Sequence, residues 1–237
     1  MTKVQVLFLM ILLSINGLLG QSKFGSWNIL AANVKANEKW NFFAEAQLRS
    51  LSFYNEFHYY EVKTGATFKI DNQFSVTSGF GSYNTFTEGG DFKTPIQNKE
   101  IRTWAQINMK QKTGIVNFEH RYRAEQRFTN NGFKNRFRYR LAATIPLNSR
   151  EIKEKTLYLN IWNELFFTNK EPFFERNRLL VGAGYQLNQN LTLQMGYIHQ
   201  FDYKINDETG RDFLNIAALY QFNLKKNKTD IVPNTND

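Results

Sequence analysis

The chain has no cysteine among its 237 residues. That excludes disulfide stapling, a thioether-linked lipid anchor and any cofactor held by thiolates. Past the first twenty residues there is no apolar run near the roughly 20 residues that a membrane-crossing helix needs. Mean hydropathy is −0.50, and no segment beyond that point repeats with helical period. The three histidines, His58, His120 and His199, form no His-x-Ser pairing or other catalytic spacing.

What is present begins with "MTKVQVLFLMILLSINGLLGQ". Lys3, an apolar stretch from Val4 to Leu13 and the small Gly20 have the layout of a secretory signal, which predicts a signal peptide over 1–20 and an exported chain. An N-terminal membrane helix is the alternative, and Leu18 rather than Ala stands at the −3 position. The remainder is long enough for one large sheet. The formal charge of +9, in an exported protein, points to lipid phosphates, acidic glycans or internal packing rather than to nucleic acid.

The dominant period is two. In "KWNFFAEAQLRS" Trp40, Phe42, Ala44, Ala46 and Leu48 alternate with Glu45, Gln47 and Arg49. "EHRYRAEQRF" places Glu119, Arg121, Arg123, Glu125 and Arg127 on one face, and "NRFRYRLAA" places Arg136, Arg138 and Arg140 on one face against Phe137, Tyr139 and Leu141. The two stretches are joined by "TNNG", a strong hairpin signal. Elsewhere the same polar rows carry Glu61, Lys63, Arg102, Glu164, Arg176 and Arg178. About eleven strands emerge, of roughly 10 to 14 residues, beyond the soluble mode of about 5 to 6. The first, 26–36, is weaker, and reads as a partial strand, an interior segment or half of a further pair.

Connections read as long at 87–99, 168–175 and 204–211 and short at 70–73, 111–114 and 188–190, with 147–155 as the exception. That asymmetry matches long external loops and short periplasmic turns. Trp27, Trp40, Tyr59, Tyr60, Tyr83, Tyr185, Tyr203 and Tyr220 fall near strand ends, as interfacial girdles would, while Trp104 and Trp162 fall on the polar face. The expected fold is all-β: a single antiparallel transmembrane β-barrel of about 10–12 strands over 21–224, with a polar Arg/Glu-rich lumen. Residues 225–237 read as a disordered periplasmic tail. The competing architecture is a soluble, exported lipocalin-like binding protein or sandwich.

Taken together, the Arg121–Arg127 strand, Arg136-Phe-Arg138, "WNELFF" at 162–167 and "RNRLLVGAGYQL" at 176–187 make the chain resemble a family. It is the domain-of-unknown-function 2490 family of Bacteroidota-type outer-membrane barrels, and the likeness covers essentially the whole mature chain. The resemblance implies fold and an outer-membrane location in a Gram-negative bacterium, and brings no catalytic residues. The last strand, with Tyr220 and Phe222, is similar to the signal read by barrel-assembly machinery. It departs from that signal in having Ala217 or Ala218 where Gly is common, and a tail after Leu224.

The inward row supports two readings. In one, Arg121, Arg123, Arg127, Arg136, Arg138, Arg140, Arg176 and Arg178 lock with Glu45, Glu61, Glu119, Glu125 and Glu164 into a lattice that fills a narrow lumen. In the other, the arginine excess, with Arg49, Lys63 and Arg102, lines a narrow anion-preferring pore. A lipid-modifying enzyme is the third possibility, since catalytic groups on different strands need not show in sequence. His120 and His199 fall on the lipid-facing register and His58 at a strand start. Asp207, Glu208 and Asp212 in "NDETGRD" match no Ca²⁺-loop spacing, so no metal and no cofactor is expected. The expected surroundings are membrane lipid, lipopolysaccharide and the assembly machinery, with the protein a monomer. Strand glycines Gly79, Gly81, Gly182 and Gly184 read as points of curvature or close neighbour packing.

Overall fold

The computed structural model describes residues 24–205 and 208–224. The expected signal peptide and C-terminal tail lie outside the described residues. Eleven strands make up the fold: β1 Phe24–Lys35, β2 Trp40–Ser52, β3 Asn55–Lys69, β4 Phe74–Thr87, β5 Lys93–Thr113 and β6 Val116–Thr129 are followed by β7 Gly132–Pro146, β8 Leu157–Thr168, β9 Phe174–Gln186, β10 Leu191–Asp202 and β11 Thr209–Asn223. Each pairs with its sequence neighbours in antiparallel register, and β1 closes against β11. An odd number of up-and-down strands makes that seam parallel, with Phe24 opposite Asp212 and Lys35 opposite Asn223. The weak first segment is therefore a full strand, and the all-antiparallel expectation holds everywhere except there. Closure leaves no sheet edge exposed.

Strands of 12 to 21 residues follow from long alternating rows bounded by short turns whose chemistry repeats. At one end of the barrel, Asn37 Oδ1 accepts from the backbone N–H of Lys39 and Trp40 at 2.9 and 2.8 Å. Asp71 does the same for Gln73 and Phe74 at 2.7 Å each, and Asn188 for Asn190 and Leu191 at 2.9 Å each. In all three turns the residue before the Asn or Asp donates its N–H to the carbonyl of the first residue of the next strand. A short acceptor side chain one residue into the turn thus fixes register at that end. Asn148 plays the part for the longer connection 147–156, accepting from Leu157 N at 2.9 Å.

The alternation of long and short connections is much weaker than expected. The connections at the opposite end, 53–54, 88–92, 130–131, 169–173 and 203–208, run to two, five, two, five and six residues, against four, four, two and four at 36–39, 70–73, 114–115 and 187–190, and 147–156, at ten, is the longest. The segment expected as loop 87–99 is largely strand, because β5 extends to Lys93 and pairs along β4 through Thr87. Alternating polar residues there hide the strand from a hydrophobic-period reading.

The outward face is apolar all round: Leu30, Phe42, Val62, Phe80, Ile107, Tyr122, Phe137, Val181 and Met195 are all exposed. The inward face carries the charges. Glu61, Glu100, Glu125, Arg136 and Glu164 are each 4 % exposed or less. This is the reverse of a lipocalin-like barrel, whose apolar side faces in. Two inward glycines make room for inward aromatics on the paired strand. A Cβ on Gly79 would lie 2.4 Å from the Trp104 ring, and one on Gly184 would lie 2.2 Å from the Tyr158 ring, each opposite its glycine in register. The close packing expected at those two positions is what the structure has.

Candidate functional site

Every charged residue expected in the lumen points inward. Glu45, Arg49, Glu61, Lys63, Arg102, Glu119, Arg121, Arg123, Arg127, Arg136, Arg138, Arg140, Glu164, Arg176 and Arg178 all line one interior cavity of about 710 Å³. Glu125, 2 % exposed, sits in the wall among its arginines.

The wall from β5 to β8 shows why the carboxylates are where they are. In register, Arg102 stands opposite Arg127, Arg123 opposite Arg138 and Arg121 opposite Arg140. Like charges directly opposite on paired strands repel, so each pair needs an anion between or beside it. Glu100 receives both Arg102, through Nε at 2.6 Å and Nη2 at 2.9 Å, and Arg127, through Nε and through Nη2 at 2.7 Å. Glu125 takes Arg138 at 2.6 Å and Arg123 at 3.6 Å. Glu164 takes Arg138 in a fork of 3.0 and 2.8 Å and also Arg121. Arg140 donates to Glu119 at 2.9 Å. Two-pronged guanidinium–carboxylate contacts of this kind fix orientation as well as charge.

A smaller network lies on β2 and β3. Arg49 reaches Glu61 at 3.1 Å, Lys63 joins Glu45 at 2.6 Å and Glu61 at 2.7 Å, and the Tyr59 hydroxyl donates to Glu61. The Arg49 guanidinium lies 3.4 Å from the centre of the Trp27 ring and 4.2 Å from that of Tyr59, a cation–π arrangement. Phe166, 1 % exposed, is ringed by four arginines: Arg138 at 4.5 Å, Arg178 at 4.8 Å, Arg136 at 5.6 Å and Arg176 at 5.8 Å.

Three anions of the lattice were not among the expected site residues. Glu100 and Asp202 follow the alternation of their own strands, two residues before Arg102 and two after Gln200, and were within reach of the pattern. Glu175 was not. Between Phe166↔Arg176 and Phe167↔Phe174 the register slips, so Glu175 is the extra residue of a β-bulge. The bulge turns Glu175 inward beside Arg176. There it receives Arg136 in a fork of 2.6 and 2.7 Å and Lys134 at 2.8 Å. The same device acts on β3, where a slip between Arg49 and Ser50 leaves His58 as the extra residue. His58 and its neighbour Tyr59 are both buried, so His58 faces the cavity.

The aromatic girdle is half what was expected. Trp40, Tyr60, Tyr185 and Tyr220 are outward and exposed, as is Phe222. Trp27, Tyr59, Tyr83 and Tyr203 instead line the interior. Trp27 and Tyr59 pack under Arg49, and Tyr83 lies 3.8 Å beneath the Arg102 guanidinium, so cation–π packing accounts for three of the four. Trp104 and Trp162 are interior, as their register implied.

His120 and His199 lie on the outward face. His120 Nδ1 is 2.9 Å from the Tyr139 hydroxyl. His199 Nδ1 is 2.7 Å from Asp212 Oδ1, which also accepts from the Tyr197 hydroxyl at 2.5 Å. No serine, threonine or cysteine side chain is hydrogen-bonded to His199 among the described residues. Asp207, one of the three acidic residues weighed as a cation site, lies outside the described residues.

No curated protein and no solved structure matches the chain. A family model described as "Protein of unknown function (DUF2490)" matches residues 24–211, which runs from the first residue of β1 to the start of β11. With the order and placement of its arginine strands, the chain belongs to that DUF2490 family.

Proposed function

We propose that the protein is an outer-membrane β-barrel of a Gram-negative bacterium, non-catalytic, whose lumen is a braced, narrow conduit preferring small anions. The observation that carries the reading is the polarity of the wall. All eleven strands expose apolar or aromatic side chains on the outward face, and the lattice of arginines and carboxylates faces in. In water such a surface would aggregate, whereas lipid accepts it. A strand of 12 residues, at about 3.3 Å per residue and a tilt of about 40°, spans about 30 Å, the thickness of a bilayer core. Trp40, Tyr185, Tyr220 and Phe222 supply aromatic side chains near one end of the belt.

The anion preference is supported by composition of the lumen. Glu45, Glu61, Glu100, Glu119, Glu125, Glu164, Glu175 and Asp202 are outnumbered by the arginines and lysines they serve. The same lattice supports a structural role, since it leaves only about 710 Å³ of open interior. Partners of this reading are membrane lipid, lipopolysaccharide and, through Tyr220 and Phe222 on the last strand, the assembly machinery, with the barrel as a monomer.

Purified in detergent, the protein is expected to migrate faster on a gel unheated than boiled. In planar bilayers it is expected to carry a small, anion-selective current that Arg138→Ala alters. A protein freely soluble without detergent would overturn the membrane reading, and a silent bilayer would overturn the conduit and leave the braced barrel.

A further inference from the structure

The lumen contains an apolar patch that a polar conduit does not require. Trp27, Leu180, Ile198 and Phe213, from β1, β9, β10 and β11, form a buried cluster on the inward face, with Ile29 and Trp162 packed against it. At the edge of this patch, against Trp27, stands Arg178. Its guanidinium carbon lies 4.8 Å from the centres of both the Trp27 and the Phe166 rings. Its Nε donates to Gln200 Oε1 at 2.8 Å, and the residue is 7 % exposed.

Arg178 differs from every other arginine of the lattice. Arg49, Arg102, Arg121, Arg123, Arg127, Arg136, Arg138, Arg140 and Arg176 each have a carboxylate within 4.0 Å. Among the described residues Arg178 has none. Its two Nη groups donate to no protein acceptor there, and neither is sealed away from the cavity. Arg176, Arg49 and Arg138 lie close enough to act on it with the same sign, and against these three stands one carboxylate, Glu164, opposite it in register but beyond 4.0 Å and spent on Arg138 and Arg121. A guanidinium desolvated between two rings, with like charges about it and its fork unspent, is an unfavourable arrangement without an anion.

We propose that the cavity binds a small amphiphilic anion. Its acidic head, a carboxylate or phosphate, takes the Arg178 fork two-pronged, and its apolar body lies against Ile29 and Trp162, the partly buried members of the patch. The fork geometry suits either head group. The volume of about 710 Å³ falls within the roughly 300–1,000 Å³ of small-molecule sites, which combine apolar walls with few polar anchors. Trp27, Phe166 and Gln200 hold the guanidinium in place, so little ordering is left to occur on binding. This assignment rests on the lumen accepting anions and goes beyond it in naming one chemical class and one anchor.

The test is calorimetric titration of the full-length barrel, stabilised in amphipol, with benzoate, with neutral benzamide and with acetate. Benzoate is expected to bind at least tenfold more tightly than either of the others. Arg178→Gln is expected to weaken benzoate at least tenfold, and Ile29→Ser to weaken benzoate while leaving acetate unchanged. If Arg178→Gln loses heat-modifiable migration, Arg178→Lys and Ile29→Ser decide. Arg178→Lys keeps the charge without the fork and should retain only part of the affinity. Equal binding of acetate and benzoate, no benzoate binding by the native protein, or benzoate binding that ignores both substitutions would overturn the proposal. Anion-selective current without benzoate binding sinks this site and leaves the conduit. Benzoate binding by a barrel that carries no current does the reverse.

Discussion

The two walls of the lumen solve the same problem in opposite ways. Between β5 and β8, arginines face arginines across paired strands, and Glu100, Glu125 and Glu164 are threaded between them. Between β9 and β1, Leu180, Ile198, Phe213 and Trp27 fill the same inward register with apolar side chains, and Arg178 beside them has no carboxylate within 4.0 Å among the described residues, whereas Arg176 on the same strand is paired with Asp202. The first wall is held by opposite charges that cannot be removed one at a time. The second is held by packing, and tolerates loss in proportion to volume. Phe166 joins them, buried by four guanidiniums drawn from both sides.

The sharpest way to break this comparison is to remove one anion from the first wall. Glu125→Ala leaves Arg123 with no carboxylate and takes one of two from Arg138 and from Arg136, and should cost about 3–5 kcal/mol, as expected for a broken buried ion pair. Urea unfolding of the detergent-solubilised barrel reads it, and adding Arg123→Met, which removes the arginine left without a carboxylate, should recover part of the loss, which a simple packing defect would not. On the second wall Leu180→Ala should cost about 2–3 kcal/mol, near the low end for a leucine truncation because the cavity beside it already exists. If the alanine at 180 proved more costly than that at 125, the contrast between the walls would fail.

A smaller effect is expected where the sheet is tight rather than charged. Gly79→Ala drives a methyl into the Trp104 ring, 2.4 Å away, and should cost about 1–3 kcal/mol. Trp104→Ala in the same chain should relieve that component, measurable as non-additivity in the unfolding midpoints. At the bottom of the scale lies Lys112, whose Nζ meets Glu151 at 2.8 Å in the connection 147–156. The hydrogen bond from Lys112 holds the Glu151 carboxyl below its usual value. A depressed carboxyl stabilises the fold above its unfolded pKa and gives that up as pH falls. Both groups are exposed to solvent, so Lys112→Ala should leave the unfolding midpoint, and its shift between pH 7 and pH 4, unchanged.

The contrast between the walls also marks what could be foreseen from the chain. The charged wall was legible, because Arg121 to Arg127 and Arg136 to Arg140 alternate without interruption and register alone brings them together. The barrel, its strand count near eleven and the inward direction of every expected lumen charge followed from the same period. Glu175 and His58 were hidden because a bulge shifts the period by one residue, and nothing in "FFERNR" or "NEFHYYE" announces it. Trp27, Tyr59 and Tyr83 were mistaken for girdle residues, since proximity to a strand end does not say which face a ring takes. Their places under Arg49 and Arg102 are set by partners on other strands. The apolar wall was least legible of all, because Leu180, Ile198 and Phe213 meet only when β9, β10 and β11 are laid side by side.

The account rests on the outward face lying in lipid and the inward face in a polar lumen, and the absence of cysteine makes that directly measurable. Single cysteines at Phe80, Ile107, Val181 and Met195, and at the inward Gln106 and Asn160, can each carry a nitroxide label in the liposome-inserted protein. Collision with oxygen, which concentrates in lipid, is then compared with collision with a water-soluble nickel chelate. The account predicts oxygen-dominated relaxation at the four outward positions and not at the two inward ones. Nickel-dominated relaxation at Phe80, Ile107, Val181 and Met195 would contradict it.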